Sequence, residues 1–330
     1  MAIVGCGGSG DGDFTGDGRF GASTEPALET DLATLDAALL CTPFSNPDKP
    51  PVLLVHGTFT NGKEQYDWTY LPLLSERGFD VCAVTYPDRG LGDQQISAEY
   101  VVHALRTIHT ATGRKVAMIG HSQGATMPRW ALKWWPSARD AVEDFVLQAG
   151  PNHGTIIADP TGQGTQNPLG MPAAFYQFSP GSNFITALND GDETPGGVSY
   201  TSLYTMFDEL VQPFTPVPTA ALDFEQGNPN VTNLLLQDLC PGRFVDHVTI
   251  GLIDRLAFEL TLDAISNPGP LDIERAGGAA LCGLAPIVPD QVIGTSDATV
   301  ALEILQASLG NGAPEFHNTT EEPPLKDYAQ

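Results

Sequence analysis

The chain has 330 residues, 42% of them hydrophobic, and its 40 acidic and 15 basic residues give a formal net charge of −25 at pH 7. This length and apolar content are sufficient for one large folded domain. The excess of acidic residues disfavours binding to nucleic acid and to anionic membrane surfaces. The sequence holds no apolar run of about eighteen residues, so it predicts no transmembrane segment, and we expect a soluble monomer.

The first 25 residues predict a flexible leader, because they are rich in glycine and almost free of large apolar side chains. Aspartates between residues 11 and 17 faintly resemble a calcium-binding loop, but Ala22 stands where such a loop needs a bidentate acid. A solvated linker without metal is the better interpretation. Residues 3–6 fit the cleavage box of a bacterial lipoprotein, which would anchor the chain through Cys6.

Beyond the leader, short apolar runs alternate with helical patterns, as expected for βαβ units. In chain order the sequence predicts a short helix near 32–40, strands at 51–57 and 79–87, a helix at 97–112, a strand and helix start at 115–124, strands at 144–151, 199–205 and 231–239, and helices at 248–265 and 297–309. This alternation predicts an α/β fold with a mainly parallel central sheet flanked by helices.

Two segments lack this regularity. Residues 152–199 are rich in loops, which predicts a lid or substrate-entrance region of loops and helices within a domain spanning residues 26–312. Residues 313–330 are rich in proline and glutamate, which predicts a disordered tail.

The clearest motif is Gly120-His121-Ser122-Gln123-Gly124, which fits G-x-S-x-G between an apolar strand and a helix. In that context the motif forms a nucleophile elbow, where the turn strains the serine backbone and two glycines let strand and helix approach closely. An ordinary glycine-rich turn is the less favoured alternative. The motif predicts an α/β-hydrolase fold in which Ser122 attacks a carbonyl carbon with the help of an imidazole base.

Chain order in this fold runs serine, acid, histidine, which restricts the choice of base among the seven histidines. Five of them come before the nucleophile or too soon after it. Of the other two, His317 lies in the polar tail, whereas His247 follows a predicted strand and precedes a helix. We therefore predict His247 as the base, and we assign His56, which precedes Ser122, a structural role in its loop.

Four aspartates compete for the third position of the triad: Asp208, Asp223, Asp238 and Asp246. Asp208 follows a predicted strand and suits a loop at the carboxyl edge of the sheet. Asp246 is adjacent to His247 in the sequence, and adjacent side chains seldom point at each other. Asp208 is therefore ranked first, and the other three remain alternatives.

Acyl transfer also needs hydrogen-bond donors for the oxyanion that develops on the carbonyl oxygen. The backbone N–H of Gln123, the residue after the nucleophile, is one expected donor. Thr58, in the loop after the strand at 51–57, is the other through its backbone N–H, and its hydroxyl can add a third bond. This chemistry requires no metal and no organic cofactor.

Five cysteines without metal-binding spacing predict disulfides formed in an oxidising compartment, with one thiol left over. We expect a secreted protein, with lipid anchoring through Cys6 as the alternative. The spacing alone leaves the pairing of Cys41, Cys82, Cys240 and Cys282 open.

With these residues in place, the chain resembles the Candida antarctica lipase B family over residues 23–309. The likeness is strongest in LLVHGTFTNG (53–62), SQGATMPRWALKWWPS (122–137), SLYTMFDELVQP (202–213) and LCPGRFVDHVTI (239–250). The resemblance implies a lipase or carboxylesterase whose triad and oxyanion hole lie at the residues already named.

The resemblance also implies the disulfides Cys41–Cys82 and Cys240–Cys282, each closing a loop of about forty residues and stabilising the fold by ~3–4 kcal/mol. No cysteine follows Cys282, so the C-terminal disulfide of the family is missing. We therefore expect a looser C-terminal segment.

One departure from the family concerns substrate preference. Where the family's yeast lipase has a tryptophan that floors the alcohol-side pocket, this chain has His121, as many bacterial lipases do. We therefore expect a bacterial member with a differently shaped pocket. The resemblance places substrate contacts at Thr60, His121, Asn152, Ile156, Leu210 and the helix around Ile304. Ordinary core packing is the alternative for these positions.

Together the motifs predict a serine ester hydrolase that acts through an acyl-enzyme, either a triacylglycerol lipase or a carboxylesterase. A polyester-degrading or short-chain carboxylesterase is the alternative within hydrolases, because the same triad serves all of them. An inactive binding module on the same fold is the alternative outside enzymes.

Overall fold

A computed structural model describes residues 25–158, 166–287 and 317–330 of the chain. The strands in these ranges are β1 (Leu39–Cys41), β2 (Val52–Val55), β3 (Val81–Val84), β4 (Val116–His121), β5 (Val142–Gln148), β6 (Gln166–Pro172), β7 (Ser199–Tyr204), β8 (Val231–Leu235) and β9 (Asn318–Glu321). The helices are α1 (Leu32–Ala37), α2 (Gly62–Tyr66), α3 (Tyr70–Glu76), α4 (Gln94–Thr112), α5 (Gln123–Trp134), α6 (Pro136–Asp140), α7 (Ala173–Gln177), α8 (Asn183–Asn189), α9 (Leu236–Leu239), α10 (His247–Ile250), α11 (Arg255–Ser266) and α12 (Ile273–Ala276). Within the described ranges, no helix is both long and apolar enough to cross a membrane.

The central sheet has seven strands in the order β1-β3-β2-β4-β5-β7-β8. Edge strand β1 is antiparallel to β3, and all other neighbours in this sheet are parallel. A second, two-stranded sheet pairs β6 with β9 in antiparallel fashion. The mainly parallel central sheet confirms the predicted fold class.

Both faces of the central sheet are buried, because a core cluster packs against each of them. Successive side chains of a strand point to opposite faces, so each strand contributes to both clusters. In β2, Leu53 and Val55 pack into one core cluster, whereas Val52 and Leu54 pack into the other. The first cluster includes side chains of α4 and α5, and the second includes those of α3 and α11. Strands buried on both faces are continuous apolar runs in the sequence, which is why these strands were predictable.

Some predicted elements differ in length from those observed. The strand predicted at 231–239 ends at Leu235 and continues as α9, and the helix predicted at 248–265 is two helices, α10 and α11. A new helix begins at α11 because the Asp254 carboxylate caps it, accepting from the N–H of Ala257 at 2.8 Å. The predicted entrance region is more regular than expected, since β6, α7 and α8 lie within it.

Both disulfides implied by the resemblance are formed, Cys41–Cys82 and Cys240–Cys282. Cys41 and Cys82 face each other as registered partners on β1 and β3. The second bond joins the end of α9 to a 3₁₀ turn at Gly278–Gly283. Each disulfide therefore ties a peripheral segment to the domain.

Residues 317–330 are ordered, so the predicted disordered tail is wrong for this part of the chain. β9 pairs with β6, and the Glu322 carboxylate accepts from the N–H groups of Asn183 and Phe184, at 2.9 and 2.8 Å, at the start of α8. The polar composition of the tail gave no sign of these contacts, because their partners lie far away in the sequence. The predicted leader up to residue 24, with Cys6, and the predicted helix at 297–309, with Ile304, lie outside the described residues.

The ring of Tyr328 packs among tryptophans, and we expect Tyr328→Ala to lower the free energy of unfolding by about 2–4 kcal/mol. The ring centroid lies 5.2 Å from that of Trp135, and the hydroxyl oxygen accepts from the indole N–H of Trp130 at 3.1 Å. Tyr328→Phe removes only the oxygen and should cost about 1 kcal/mol. Chemical denaturation measures both changes, and equal stability of all three proteins would contradict the packing of the tail.

Candidate active site

Ser122 lies in a sharp turn between β4 and α5. Its φ of 57° and ψ of −123° form a strained backbone for a residue with a side chain. Close backbone packing leaves no room for a side chain at the two flanking positions, Gly120 and Gly124. A Cβ at Gly120 would collide with the carbonyl of Gly124, and one at Gly124 would collide with the carbonyl of Val55. The predicted elbow is therefore formed, and it holds the Ser122 hydroxyl at the carboxyl end of β4.

Three side chains singled out from chain order meet at this turn. Nε2 of His247 lies 2.9 Å from Oγ of Ser122, and Nδ1 of His247 lies 2.9 and 3.0 Å from the two carboxylate oxygens of Asp208. His247 and Asp208 are both buried. A carboxylate beside Nδ1 keeps the proton on that nitrogen, so Nε2 presents its lone pair to the serine hydroxyl.

Backbone amides orient the Asp208 carboxylate. Its Oδ1 accepts from the N–H groups of Leu210 and Val211 at 2.9 and 2.7 Å. Glu209, which belongs to none of the predicted site residues, accepts from the backbone N–H of His247 at 3.1 Å. Its sequence signal is its position directly after Asp208. One short loop thus holds both the side chain and the backbone of His247.

The alternative acids and the alternative base have other surroundings. The Asp246 carboxylate caps α10 and accepts from the N–H of Thr249 at 2.7 Å. Asp223 accepts from two other polar side chains, and Asp238 and His317 are exposed. The geometry therefore favours the acid and the base that chain order had ranked first.

His56 has the structural surroundings predicted for it. Its ring is buried and stacks on that of Tyr86 at a centroid distance of 3.8 Å. Nε2 of His56 accepts from the Tyr86 N–H at 3.3 Å, so Nδ1 carries the proton and donates to the Gly57 carbonyl at 2.7 Å. Burial lowers the pKa of His56 to about 3, so the ring is neutral.

The expected oxyanion donors lie on two loops that meet beside Ser122. Gln123 is the first residue of α5, where backbone N–H groups have no partner within the helix. Thr58 follows β2, and its hydroxyl donates to Oε1 of the buried Gln123 side chain at 3.2 Å. This bond joins the loop after β2 to the start of α5, the two segments that carry the expected donors.

The predicted pocket residues differ in their exposure to solvent. Asn152 is fully buried, its Oδ1 accepts from the Thr126 hydroxyl at 3.0 Å, and its Nδ2 donates to the Ala220 carbonyl at 2.7 Å. The amide is therefore committed to the protein interior, which corrects the predicted substrate contact. Ile156 and Leu210 are 55% and 43% exposed, and their contact with substrate remains a prediction.

His121 and Thr60 are also nearly buried. His121 is 6% exposed, and its two ring nitrogens contact the side-chain amide of Gln65 and the carbonyl of His247. The two ring nitrogens of His121 are thus engaged within the protein, and contact of its ring with substrate stays a prediction. Thr60 is 9% exposed, and its role in substrate binding stays a prediction.

Comparisons with known proteins agree with this fold. The family model described as lipase (class 2) matches residues 49–217. Lipase B of Pseudozyma antarctica is 32% identical over 233 residues, which cover 69% of this chain and 66% of that protein. The crystal structure of Aspergillus fumigatus lipase B superposes with a TM-score of 0.80 at 30% identity, covering 93% of this chain and 74% of that one. The chain therefore belongs to the class 2 lipase family and has the α/β-hydrolase fold.

Proposed function

We propose that this protein is a serine carboxylic ester hydrolase, a lipase or carboxylesterase, with Ser122 as its nucleophile. The observation that carries the proposal is the continuous hydrogen-bonded line from Ser122 through His247 to Asp208 on a strained elbow. A binding module would have no use for a buried carboxylate behind an imidazole that contacts a strained serine. Membership of the lipase family supports the same activity.

In the acylation step, Nε2 of His247 takes the hydroxyl proton of Ser122 while Oγ bonds to the ester carbonyl carbon. The electron pair of the carbonyl bond moves to its oxygen, where the amides of Thr58 and Gln123 stabilise the charge. Collapse of this intermediate breaks the bond to the leaving alcohol, whose oxygen receives the proton from His247. Water then repeats the sequence on the acyl-enzyme and releases the acid, which regenerates Ser122.

The rim of the site favours an ester with an apolar chain. Phe207 and Val248, the neighbours of the acid and the base in the sequence, are 38% and 46% exposed. The ring of Phe207 lies 5.0 Å from that of Phe244, which is 71% exposed. Exposed apolar side chains beside a reactive centre suit an apolar ligand. An acylglycerol therefore fits this rim better than an ester of a charged acid, which the net charge of −25 would also repel.

A ring contact between α7 and the segment after β2 supports a substrate entrance beside α7. The loop at residues 56–61, between β2 and α2, carries Thr58 and is the oxyanion loop. The ring of Phe175 in α7 lies 5.9 Å from that of Phe59 in this loop. The exposed Ile156 lies, with α7, in the predicted lid region. The ring contact and the exposed side chain support an entrance lined by residues of the 152–199 segment.

The two disulfides support an extracellular location, because such bonds persist in oxidising compartments. The strongly negative net charge supports a monomer, since like-charged copies repel each other. The bacterial origin rests on His121 alone, and anchoring through Cys6 remains the alternative to free secretion.

An alkyl phosphonate ester tests for the reactive serine. We expect a covalent adduct at Ser122 in the wild type, because the phosphonate mimics the tetrahedral intermediate. Ser122→Ala should form no adduct, whereas Ser75→Ala should react like the wild type. Intact-protein mass spectrometry measures the labelling. A folded wild type that does not react would exclude the hydrolase function.

We expect Asp208→Asn to lower kcat by about 10⁴-fold, because an amide no longer holds the proton on Nδ1 of His247. Asp246→Asn is the matched control, since its side-chain oxygen can still cap α10. It should reduce kcat far less. Steady-state hydrolysis of a p-nitrophenyl ester measures both, and the acid would have to be reassigned if Asp246→Asn were the more damaging change.

A series of p-nitrophenyl esters of increasing acyl length, together with an emulsified triacylglycerol, separates a lipase from the other esterases. We expect kcat/KM to rise from acetate towards longer chains, because the apolar rim gains contacts with each methylene. We also expect hydrolysis of the emulsion. A maximum at the shortest esters without activity on the emulsion would assign the short-chain or polyester-degrading alternative instead.

A further inference from the structure

A line of buried hydrogen bonds connects the oxyanion loop with the start of α10, at the base His247, through the residue that precedes the nucleophile. The N–H of Gly57 donates to Oε1 of Gln65 at 2.9 Å, and Nε2 of Gln65 lies 3.3 Å from Nδ1 of His121. Nε2 of His121 lies 2.7 Å from the carbonyl oxygen of His247. Gly57 directly precedes Thr58, so the line begins beside an expected oxyanion donor and ends on the base.

The chemistry of the two ends determines where each proton lies. A carbonyl oxygen accepts, so Nε2 of His121 must carry the hydrogen that bonds to His247. Nδ1 of the neutral His121 ring then accepts, and Gln65 must present its NH₂ group to it. Oε1 of Gln65 is left to accept from the N–H of Gly57, as observed. Every donor in the line therefore faces an acceptor.

The line requires a neutral ring at His121. A protonated ring would place an N–H of His121 against the NH₂ group of Gln65. Burial, and then the nearby charge of His247, lower the pKa of His121 to about 3. The ring centroids of His121 and His247 are 5.1 Å apart, so a charge on His121 would also oppose the imidazolium that forms on His247 during the reaction.

Gln65 lies on a firmly held helix, α2. The Tyr66 hydroxyl donates to the Val55 carbonyl at 2.8 Å, and Arg89 bonds to the Glu64 carboxylate at 2.8 Å. The Gln65 side chain itself is buried. A side chain on such a support can fix the positions of both groups that it contacts.

The His247 carbonyl depends on His121 because α10 is short. The N–H of Gly251, four residues after His247, donates to the Thr249 carbonyl rather than to His247. The His121 ring also fills the space beside Gly251, where a Cβ would collide with it. His121 therefore contacts the first turn of α10 through both a hydrogen bond and packing.

We propose that Gln65 and His121 are positioning residues that hold the base His247 and the oxyanion loop at a fixed separation around Ser122. Proton transfer and oxyanion stabilisation both need their groups placed to within a fraction of an ångström. The two residues act on catalysis through the backbones of Gly57 and His247, without touching the ester. This role rests on the proposed ester hydrolysis.

Gln65→Met tests the role, because methionine fills similar volume without a donor or acceptor of this kind. We expect kcat to fall on the order of 10–100-fold with KM within about two-fold of the wild type. Gln95→Met is the matched control, since Gln95 is fully buried and its amide bonds to Pro324 and Lys326 of the C-terminal segment. It should retain kcat within about two-fold despite a comparable loss of thermal stability.

Gln65→Glu adds a measurement, the pH dependence of kcat, that a loss of packing alone would not change. A neutral carboxylic acid supplies a donor and an acceptor as the amide does, whereas a carboxylate only accepts. The ratio of variant to wild-type kcat should therefore fall as the pH rises through the pKa of the new carboxyl group. The same pH series on a p-nitrophenyl ester provides this ratio and remains informative where the methionine variant does not fold.

The positioning role is overturned if Gln65→Met loses no more kcat than Gln95→Met, or if the Gln65→Glu ratio is near one at every pH. Either result, in a hydrolytically active wild type, would leave the proposed function standing. Failure of the proposed function would instead appear in the wild type, as absent hydrolysis and absent phosphonate labelling, and would overturn the positioning role with it.

Discussion

The left-handed backbone of Ser122 is the constraint on which the rest of the site depends. Such a conformation costs on the order of 1–3 kcal/mol and persists only where surrounding packing enforces it. Here β4 lies in the middle of the central sheet, between β2 and β5. The start of α5 packs against β4 closely enough to exclude a Cβ at Gly120, and against the end of β2 closely enough to exclude one at Gly124. The same packing determines where α5 begins. It therefore directs the amide of Gln123 as well as the hydroxyl of Ser122.

Around this turn, burial and hydrogen bonding give three histidines different properties. His56 and His121 are buried without a carboxylate partner, and the pKa of each is lowered to about 3, so both remain neutral. Of the three, only His247 contacts a carboxylate, that of Asp208 at 2.9 Å, and only its Nε2 faces the Ser122 hydroxyl. A proton leaving Ser122 therefore has one favourable destination. The neutral neighbours support His247 through its surroundings and do not compete for the proton.

Sequence patterns predicted those elements whose structure depends mainly on nearby residues. Strands buried on both faces are apolar runs, the elbow needs two glycines, and chain order singled out the acid and the base. Gln65 carries no such pattern, because its partner His121 lies 56 residues away and their contact exists only in the fold. The prediction of a disordered tail was wrong for the same reason, since Glu322 and Tyr328 bond to residues that are far away in the sequence. A resemblance locates the pocket region, but it does not say that the Asn152 side chain points inward.

Position 121 also limits what the family resemblance implies about selectivity. The family resemblance implies a tryptophan at this position, so His121 predicts a differently shaped alcohol-side pocket. In this protein the ring of His121 lies between two glycines: a Cβ at Gly251 would collide with it, and a Cβ at Gly57 would lie 3.3 Å from Nδ1. A larger ring would have to displace the oxyanion loop or α10, which carries the base. We therefore infer that exchanging residue 121 alone would disturb catalysis before it reshaped the pocket.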